Sequence, residues 1–344
     1  MPPTAGESNI QAAKVEWGTH CVRTIARWST ARSVLAPGAV GVDWAGQASG
    51  HLPGHGTARA PPVRVPETGG GHGHPATRVV GCYPTEPMGD SGDELPFAVL
   101  SLQTETERNR RAEFARLFRS AAIPEEELLG NLGLFMRRQH WARCLFMNDL
   151  YRRALDVHGV VMEFGTRWGQ NLALFSVFRG LYEPFNYTRQ LVGFDTFTGF
   201  PGVSPEDGTN PTVTEGAYSV TEGWEQTLEK ILLYHEGESP ISHLRKFELV
   251  KGDVSETLPR YLERHPETVV ALAYFDMDIY KPTRDALMSI RPHLTRGSVI
   301  GFDEACFAAL PGETVALREV LGLGAIRLQR VPYSPTTSFL IWEG

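Results

Sequence analysis

The sequence has little of several features that would indicate particular classes of protein. Its four cysteines are scattered without a Cys-x-x-Cys pair, so they indicate neither a zinc knuckle nor a disulfide framework. No apolar run reaches about eighteen residues, and the N-terminus lacks a signal-peptide pattern, so we expect neither a membrane span nor secretion. The net charge of −7 argues against nucleic-acid binding through phosphate neutralisation. These absences together predict a cytoplasmic protein with free thiols.

Two nucleotide-binding fingerprints are also missing. The chain contains neither a Gly-x-Gly-x-x-Gly loop after a predicted strand nor a Gly-x-x-x-x-Gly-Lys-Ser/Thr loop. A nicotinamide-dependent dehydrogenase is therefore disfavoured.

The first part of the chain differs in composition from the rest. Residues 1–95 are rich in Gly, Pro, Ala and His and show neither a helical nor a strand period. Such a segment buries too little apolar surface to offset its chain entropy, so we predict a low-complexity, disordered extension. Its histidines lack rigid spacing and cysteine partners, which favours a solvated linker over a metal site. These histidines are His51, His55, His72 and His74.

The remaining chain predicts a doubly wound α/β fold. Residues 96–155 carry helical patterns and are predicted to form an N-terminal helical cap. From 156 to 344, strands alternate with helices, which indicates a mostly parallel, Rossmann-like sheet of seven strands. Two final strands are expected to add an antiparallel edge. Ligands bind beyond the carboxyl ends of the strands in such sheets, so the strand ends are the place to seek chemistry.

The first three predicted strands end in glycines and acids. Gly165 and Gly169 bracket a tight turn before a helix, where a ligand could approach the backbone or the glycines could simply cap the helix. Asp195 ends the second strand, a position suited to ribose hydroxyls or to a turn. Asp253 follows Gly252 after the third strand and could contact an adenine or cap the next helix.

Four carboxylates follow the fourth and fifth strands. Adjacent parallel strand ends lie about 5 Å apart, so these acids should converge and repel one another. A hard divalent cation such as Mg²⁺ would resolve the conflict, since it prefers oxygen ligands. The alternative is that Asp278 caps the following helix and Asp303 merely ends its strand. The four residues are Asp276, Asp278, Asp303 and Glu304.

Five segments together resemble the macrocin O-methyltransferase family. They are EFGTRWGQN, VGFDTFTGFP, KGDVSETLP, FDMDIYKPT and GSVIGFDEA, in the family's order and spacing between about 130 and 344. The resemblance implies a class I S-adenosylmethionine-dependent methyltransferase that methylates sugar or related hydroxyls in antibiotic biosynthesis. It also implies a small-molecule acceptor and, by analogy with relatives, self-association, while the charge and the lack of long apolar runs predict no nucleic-acid or membrane partner.

The resemblance assigns roles to particular residues. It implies Asp276 as metal ligand and candidate base, with Asp303 and Glu304 as further Mg²⁺ ligands. Asp278 is expected to steady the turn or to lie behind the ligands. Two departures stand out, because Glu304 replaces the family's second Asp and Met277 replaces its Gly. The implied S-adenosylmethionine contacts are Glu163, Gly165, Thr166, Gly169, Asp195, Thr196, Gly252 and Asp253.

The predicted function is Mg²⁺-dependent O-methylation of a deoxysugar or related diol. The alternatives are a metal-independent methyltransferase acting on another acceptor and a non-catalytic nucleotide-binding homologue. Tyr218 and Trp224 are candidates for stacking on a sugar, whereas Trp141 is expected to pack in the core. No motif supports the three histidines that could serve as alternative bases, which are His140, His235 and His243.

Overall fold

The computed structural model describes residues 103–344. The interpretation of residues 1–95, with its four histidines, lies outside the described residues. The helical cap expected at 96–155 is described from residue 103 onward and contains helices there. The domain boundaries near 95 and 155 stay predictions.

Seven strands form one sheet in the order β3-β2-β1-β4-β5-β7-β6. Strands β1 to β5 pair in parallel, whereas β7 pairs antiparallel with β5 and with β6. The predicted fold class is confirmed, including the antiparallel pair at the C-terminal end. The strands are β1 (Val160–Phe164), β2 (Leu191–Asp195), β3 (Phe247–Lys251), β4 (Val270–Phe275), β5 (Leu294–Phe302), β6 (Gln329–Arg330) and β7 (Ser338–Ile341).

Eight α-helices precede or connect these strands in the described part of the chain. Helix α1 begins with a capping box, in which Thr104 and Glu107 satisfy each other's backbone amides. Short 3₁₀ turns occupy Leu129–Phe135, Pro205–Asp207 and Arg291–His293. The helices are α1 (Glu105–Arg119), α2 (Glu125–Leu128), α3 (Arg138–Arg153), α4 (Gln170–Tyr182), α5 (Trp224–Gly237), α6 (Val254–Arg264), α7 (Tyr280–Ile290) and α8 (Gly312–Leu321).

A row of four phenylalanines crosses the sheet near the carboxyl ends of its central strands. Phe164 is in register with Phe194 on one side and Phe275 on the other, and Phe275 with Phe302. Their ring centroids lie 4.8–5.3 Å apart, within the range of favourable aromatic contacts. This buried row packs in the core that α6, α7 and α8 cover, and it ends where the acidic residues begin.

The opposite face of the sheet is covered by α3, α4 and α5. Helix α3 buries Phe146, Met147 and Leu150 in this second core. Trp141 lies on the same helix but is 47% exposed, so the prediction that it packs in the core is wrong. It faces outward because it lies nearly one and a half turns before Phe146, off the buried stripe.

None of the described helices is long and apolar enough to cross a membrane.

Candidate active site

A cavity of about 480 Å³ opens at the carboxyl ends of the central strands. Its size falls within the range of small-molecule sites. It lies where β1 is flanked by β2 and β4, the point at which the strand order reverses and ligands bind in open α/β sheets. The predicted site residues that line it are Gly165, Thr166, Gly169, Asp195, Thr196, Gly252, Asp253, Asp276, Asp303 and Glu304.

The turn after β1 depends on glycine for packing as well as for conformation. Gly165 has φ +91°, and a Cβ there would lie 1.9 Å from the carbonyl oxygen of Asp276. Gly169 has φ +84°, and its Cβ would meet the side chain of Leu228. Both glycines therefore let the turn pack against neighbouring elements. Thr166, between them, lines the cavity, and its buried hydroxyl lies beside the carboxylate of Glu163 and acts to lower the pKa of that group.

Asp195 holds together the loops after β1 and β2. Its carboxylate accepts hydrogen bonds from the backbone amides of Arg167, at 2.7 Å, and Phe197, at 2.5 Å. Burial raises its pKa, and these two amides oppose that shift. A carboxylate has about four lone-pair positions, so Asp195 keeps acceptor capacity for a ligand hydroxyl.

Asp253 is the N-cap of α6. Its Oδ1 accepts the amide of Ser255 at 2.8 Å, as the capping alternative requires. It also lines the cavity, as Gly252 does, so the adenine contact stays a prediction.

Three acids converge at the end of β4 and β5. Ligand oxygens of Asp276, Asp278 and Glu304 all lie within 4.8 Å of one another. Asp278 adopts a left-handed conformation, φ 62°, which turns the chain sharply before α7. The N-cap residue of α7 is Ile279 and not Asp278, and the first amide of the helix, that of Tyr280, is accepted by Asp207. Asp278 thus lies beside Asp276 and Glu304. The sequence motifs had implied Asp276, Asp303 and Glu304 as the metal ligands and had placed Asp278 behind them.

Arg143 of α3 reaches into the same group of acids. Its guanidinium donates one hydrogen bond to Asp276 at 2.7 Å and another to Asp303 at 2.5 Å. The second oxygen of Asp303 accepts the hydroxyl of Tyr274 at 2.6 Å. Asp303 is thus already engaged on both oxygens, and its assignment as a metal ligand stays a prediction. Sequence reasoning missed Arg143, which no motif marks and which lies 133 residues from Asp276 in the chain.

The environment separates the pKa values of these acids. Burial raises the pKa of Asp276 to about 7, and the nearby charge of Asp303 adds to the shift. Burial and the charge of Asp303 also raise the pKa of Glu304 well above its usual range. Burial acts in the same direction on Asp303, but the Arg143 guanidinium outweighs it and lowers that pKa. Asp303 is therefore held as a carboxylate, whereas burial raises the pKa values of Asp276 and Glu304 beside it.

Glu313 positions the two turns that carry the acids. This carboxylate, fully buried at the start of α8, accepts the amide of Met277 on one oxygen and that of Glu304 on the other, each at 3.2 Å. Asp207 acts similarly on α7, since its Oδ1 accepts the amide of Tyr280 at 2.5 Å. Sequence reasoning missed both, because a buried acid outside the strand ends gives no distinctive pattern.

Glu163 lies beneath the cavity and does not line it. Both of its carboxylate oxygens are buried, and the side chains of Asn171 and Thr166 lie beside them. Burial raises its pKa well above the usual range, against the opposing effect of the Asn171 amide. Asn171 in turn donates to Asp276 at 3.4 Å. The predicted cofactor role of Glu163 stays a prediction.

The loop after β2 forms one wall of the cavity. Phe200, Val213 and Ala217 of this loop pack with Ile279 and Leu310 in a small separate core. Tyr218 lines the cavity, as predicted for an acceptor-side aromatic, whereas Trp224 is not among the lining residues. The candidate bases His140, His235 and His243 do not line it either.

The strand order and a ligand-sized cavity at its switch point define the class I methyltransferase fold. A crystal structure of CalS11, described as a calicheamicin methyltransferase, is 43% identical to this chain with a TM-score of 0.69, covering 75% of this chain and 100% of CalS11. An apo structure of CalS11, described as a TDP-rhamnose 3'-O-methyltransferase of calicheamicin biosynthesis, is 42% identical with a TM-score of 0.62, covering 70% and 97%. No protein-family model and no curated protein matches the sequence.

The chain belongs to the macrocin O-methyltransferase family and is an S-adenosylmethionine-dependent methyltransferase. The recognition made from its sequence motifs is confirmed.

Proposed function

We propose that this enzyme methylates a hydroxyl of a deoxysugar in natural-product biosynthesis. The observation that carries the proposal is the position of Asp276, a half-buried carboxylate that lines the cavity and whose pKa the surrounding protein raises to about 7. A group with such a pKa is suited to accept a proton from a hydroxyl near neutral pH. The similarity to CalS11, which is described as acting on TDP-rhamnose, supports a sugar acceptor.

The cofactor would lie along the loops after β1, β2 and β3. The spare acceptor positions of Asp195 and the lone pairs of the Thr166 hydroxyl offer polar contacts in that part of the cavity. Bound S-adenosylmethionine would supply a methyl group on a sulfonium, so that a carbon–oxygen bond forms while the carbon–sulfur bond breaks. Asp276 takes the hydroxyl proton, which leaves a methyl ether and S-adenosylhomocysteine as products.

The acids at the end of β4 and β5 suit a divalent cation. Asp276, Asp278 and Glu304 offer oxygens that lie within 4.8 Å of one another. Such an all-oxygen set fits Mg²⁺, and these three residues would hold it. The cation, when bound, would lower the pKa of an acceptor hydroxyl and orient it.

A metal-independent reaction is the second candidate. Arg143 already brings positive charge to Asp276 and Asp303, which is part of what a cation would provide. In that case Arg143 compensates Asp276 and Asp303, Arg167 acts on Asp278, and Asp276 still acts as the base.

Methyl transfer to TDP-rhamnose, measured as S-adenosylhomocysteine release with and without EDTA, tests these candidates. Loss of activity in excess EDTA, with recovery on addition of Mg²⁺, supports the cation. Full activity in excess EDTA rules the cation out and supports the reaction that relies on Arg143. The sugar-acceptor proposal is refuted if S-adenosylhomocysteine binds but TDP-rhamnose and phosphate-free rhamnosides all remain unmethylated.

A further inference from the structure

The side chain of Arg143 bridges two of the acids that follow β4 and β5. Its Nη1 donates to Oδ2 of Asp276 at 2.7 Å, and its Nη2 donates to Oδ2 of Asp303 at 2.5 Å. The two terminal nitrogens of the guanidinium thus pair with different carboxylates. The Arg143 side chain is 31% exposed, so the contact lies partly out of water, where charges act on one another more strongly than at the surface.

The position of Arg143 follows from the packing of α3. Phe146 lies three residues after Arg143 and Met147 four residues after it, so all three share one face of the helix. Phe146 and Met147 are fully buried in the core on that side of the sheet. The helix is therefore fixed against the sheet, and it directs Arg143 toward the strand ends and the cavity, which Arg143 lines.

The hydrogen bonds leave the two bridged acids in different states. Oδ1 of Asp303 accepts the hydroxyl of Tyr274 at 2.6 Å, so each oxygen of Asp303 already has a donor. Two donors meet the same oxygen of Asp276, because Asn171 also donates to Oδ2, at 3.4 Å. Among the contacts of the described residues, that leaves Oδ1 of Asp276 as the oxygen that can bind a cation without displacing a donor.

A divalent cation held by Asp276, Asp278 and Glu304 would lie close to this guanidinium. The ligand oxygens of these three acids lie within 4.8 Å of one another, and Asp276 is also bound by Arg143. The cation and Arg143 would then share one carboxylate, and two positive charges a few ångströms apart in a half-buried site repel each other. The charge of Arg143 reaches Asp278 as well. Burial raises the pKa of Asp278, and the charges of Arg167 and Arg143 oppose that rise.

We propose that Arg143 is a resident cation of the acid group, which competes with a divalent metal for Asp276 and keeps Asp303 engaged away from that metal. In the metal-free enzyme, Arg143 holds the two acids together, so the site stays assembled. The metal then binds weakly and exchanges readily, because it must share Asp276 with a fixed positive charge. This inference rests on the divalent cation of the proposed function and specifies the residue that sets its affinity.

Binding of Mn²⁺ to the full chain, measured by electron paramagnetic resonance in saturating S-adenosylhomocysteine, tests the inference. Mn²⁺ suits the same oxygen ligands as Mg²⁺, and its free form is directly observed by this method. We expect R143Q to bind Mn²⁺ at least about tenfold more tightly than the wild type does, because glutamine keeps a hydrogen-bond donor but removes the charge. R143K keeps the charge and should bind Mn²⁺ within about threefold of the wild type.

Arg138 provides the matched control. It is exposed on the same helix, and R138Q changes the net charge of the chain by the same amount as R143Q does. R138Q should bind Mn²⁺ as the wild type does, because the effect of Arg143 depends on its contact with Asp276 and not on the total charge.

Urea unfolding provides a second readout and shows whether R143Q is folded. Without metal, R143Q should unfold at a lower urea concentration than the wild type, since Asp276 and Asp303 lose their shared cation. A ligand that binds the folded state stabilises it more, the more tightly it binds. The same concentration of Mn²⁺ should therefore raise the unfolding midpoint of R143Q more than that of the wild type or R143K. S-adenosylhomocysteine affinity should be the same in all variants.

The inference is overturned if R143Q binds Mn²⁺ no more tightly than the wild type does, or if R143K or R138Q gains as much affinity as R143Q. It is also overturned if neither the wild type nor R143Q binds Mn²⁺. In each of these cases, S-adenosylhomocysteine release in the presence of TDP-rhamnose would leave the proposed methylation intact. Mn²⁺ binding that tightens in R143Q alone, without methylation of any sugar, would instead refute the proposed function and retain the competition.

Discussion

At the scale of single residues, Asp276 occupies the position on which the proposed chemistry depends. It accepts hydrogen bonds from Arg143 and Asn171 and shares a group of acids with Asp278 and Glu304. The sequence alone predicted that acids would converge here, because parallel strands end at one edge of the sheet. Which of the four predicted acids would face one another and which would pair with a cation could not be predicted, since Arg143 engages Asp303 through a contact between residues 160 positions apart.

We expect D276N to lower the rate of methyl transfer by about 10²–10⁴, the usual contribution of a positioned general base. Asparagine keeps the size of the side chain but cannot accept the proton. The measurement is kcat for TDP-rhamnose, with S-adenosylhomocysteine affinity as the control for an intact cofactor site. A variant that retains kcat within threefold, with normal cofactor affinity, would show that another group takes the proton.

Met277, at a position where the family prefers glycine, is explained by packing. Its side chain is largely buried in the core and lines the cavity, and its amide is held by Glu313. Glycine would leave that space empty.

At the scale of elements, the site depends on how the loops after β1, β4 and β5 pack against one another. Strand and helix alternation was readable from the sequence because hydrophobic periods are local. The contacts between loops could not be predicted from the sequence, because they join residues that are distant in the chain. Glu313 and Gly165 each hold two of these loops together, in different ways.

We expect E313A to reduce methyl transfer and also to destabilise the protein. The change leaves the amides of Met277 and Glu304 without acceptors, at a cost of about 1–3 kcal/mol for each buried amide. Activity and the free energy of urea unfolding would be measured together. E319A is the matched control on the exposed face of α8, where Glu319 accepts only the hydroxyl of Tyr280 among the described residues. Equal effects of the two variants would argue against a positioning role for Glu313.

We expect G165A to destabilise the protein more than G223A does. Both glycines have positive φ, so alanine is strained at either position by about 1–2 kcal/mol. At Gly165 the new Cβ would also collide with the carbonyl of Asp276, whereas at Gly223 it would meet nothing within 4 Å. The difference between their unfolding free energies isolates the cost of separating β1 from β4. Similar values for both variants would mean that the turn after β1 relaxes freely.

At the scale of the described molecule, stability and chemistry are concentrated at opposite ends of the sheet. The cavity lies at the carboxyl ends of the strands. Near the amino end of β3, Glu236 of α5 forms buried ion pairs with Arg179 of α4 and with Lys246, whose Nζ lies 2.7 Å away. Arg179 also donates to the carbonyls of Arg189 and Lys246, so this group links two helices to β2 and β3.

We expect E236Q to lower the free energy of unfolding by about 3–5 kcal/mol, because it leaves two buried cations without their shared carboxylate. The folded protein should bind S-adenosylhomocysteine as the wild type does, since the change is remote from the cavity. Urea denaturation and calorimetry check the two parts of this expectation. A large loss of cofactor affinity with unchanged stability would contradict it.

The sequence by itself determined the fold class, the family and the edge of the sheet that carries the acids. These follow from local patterns, namely hydrophobic periods and short motifs at strand ends. Only the tertiary structure decided that Asp276, Asp278 and Glu304 form the close group and that Arg143 engages Asp303. The physical reason is that charges from distant parts of the chain change one another's partners and pKa values once folding brings them within a few ångströms.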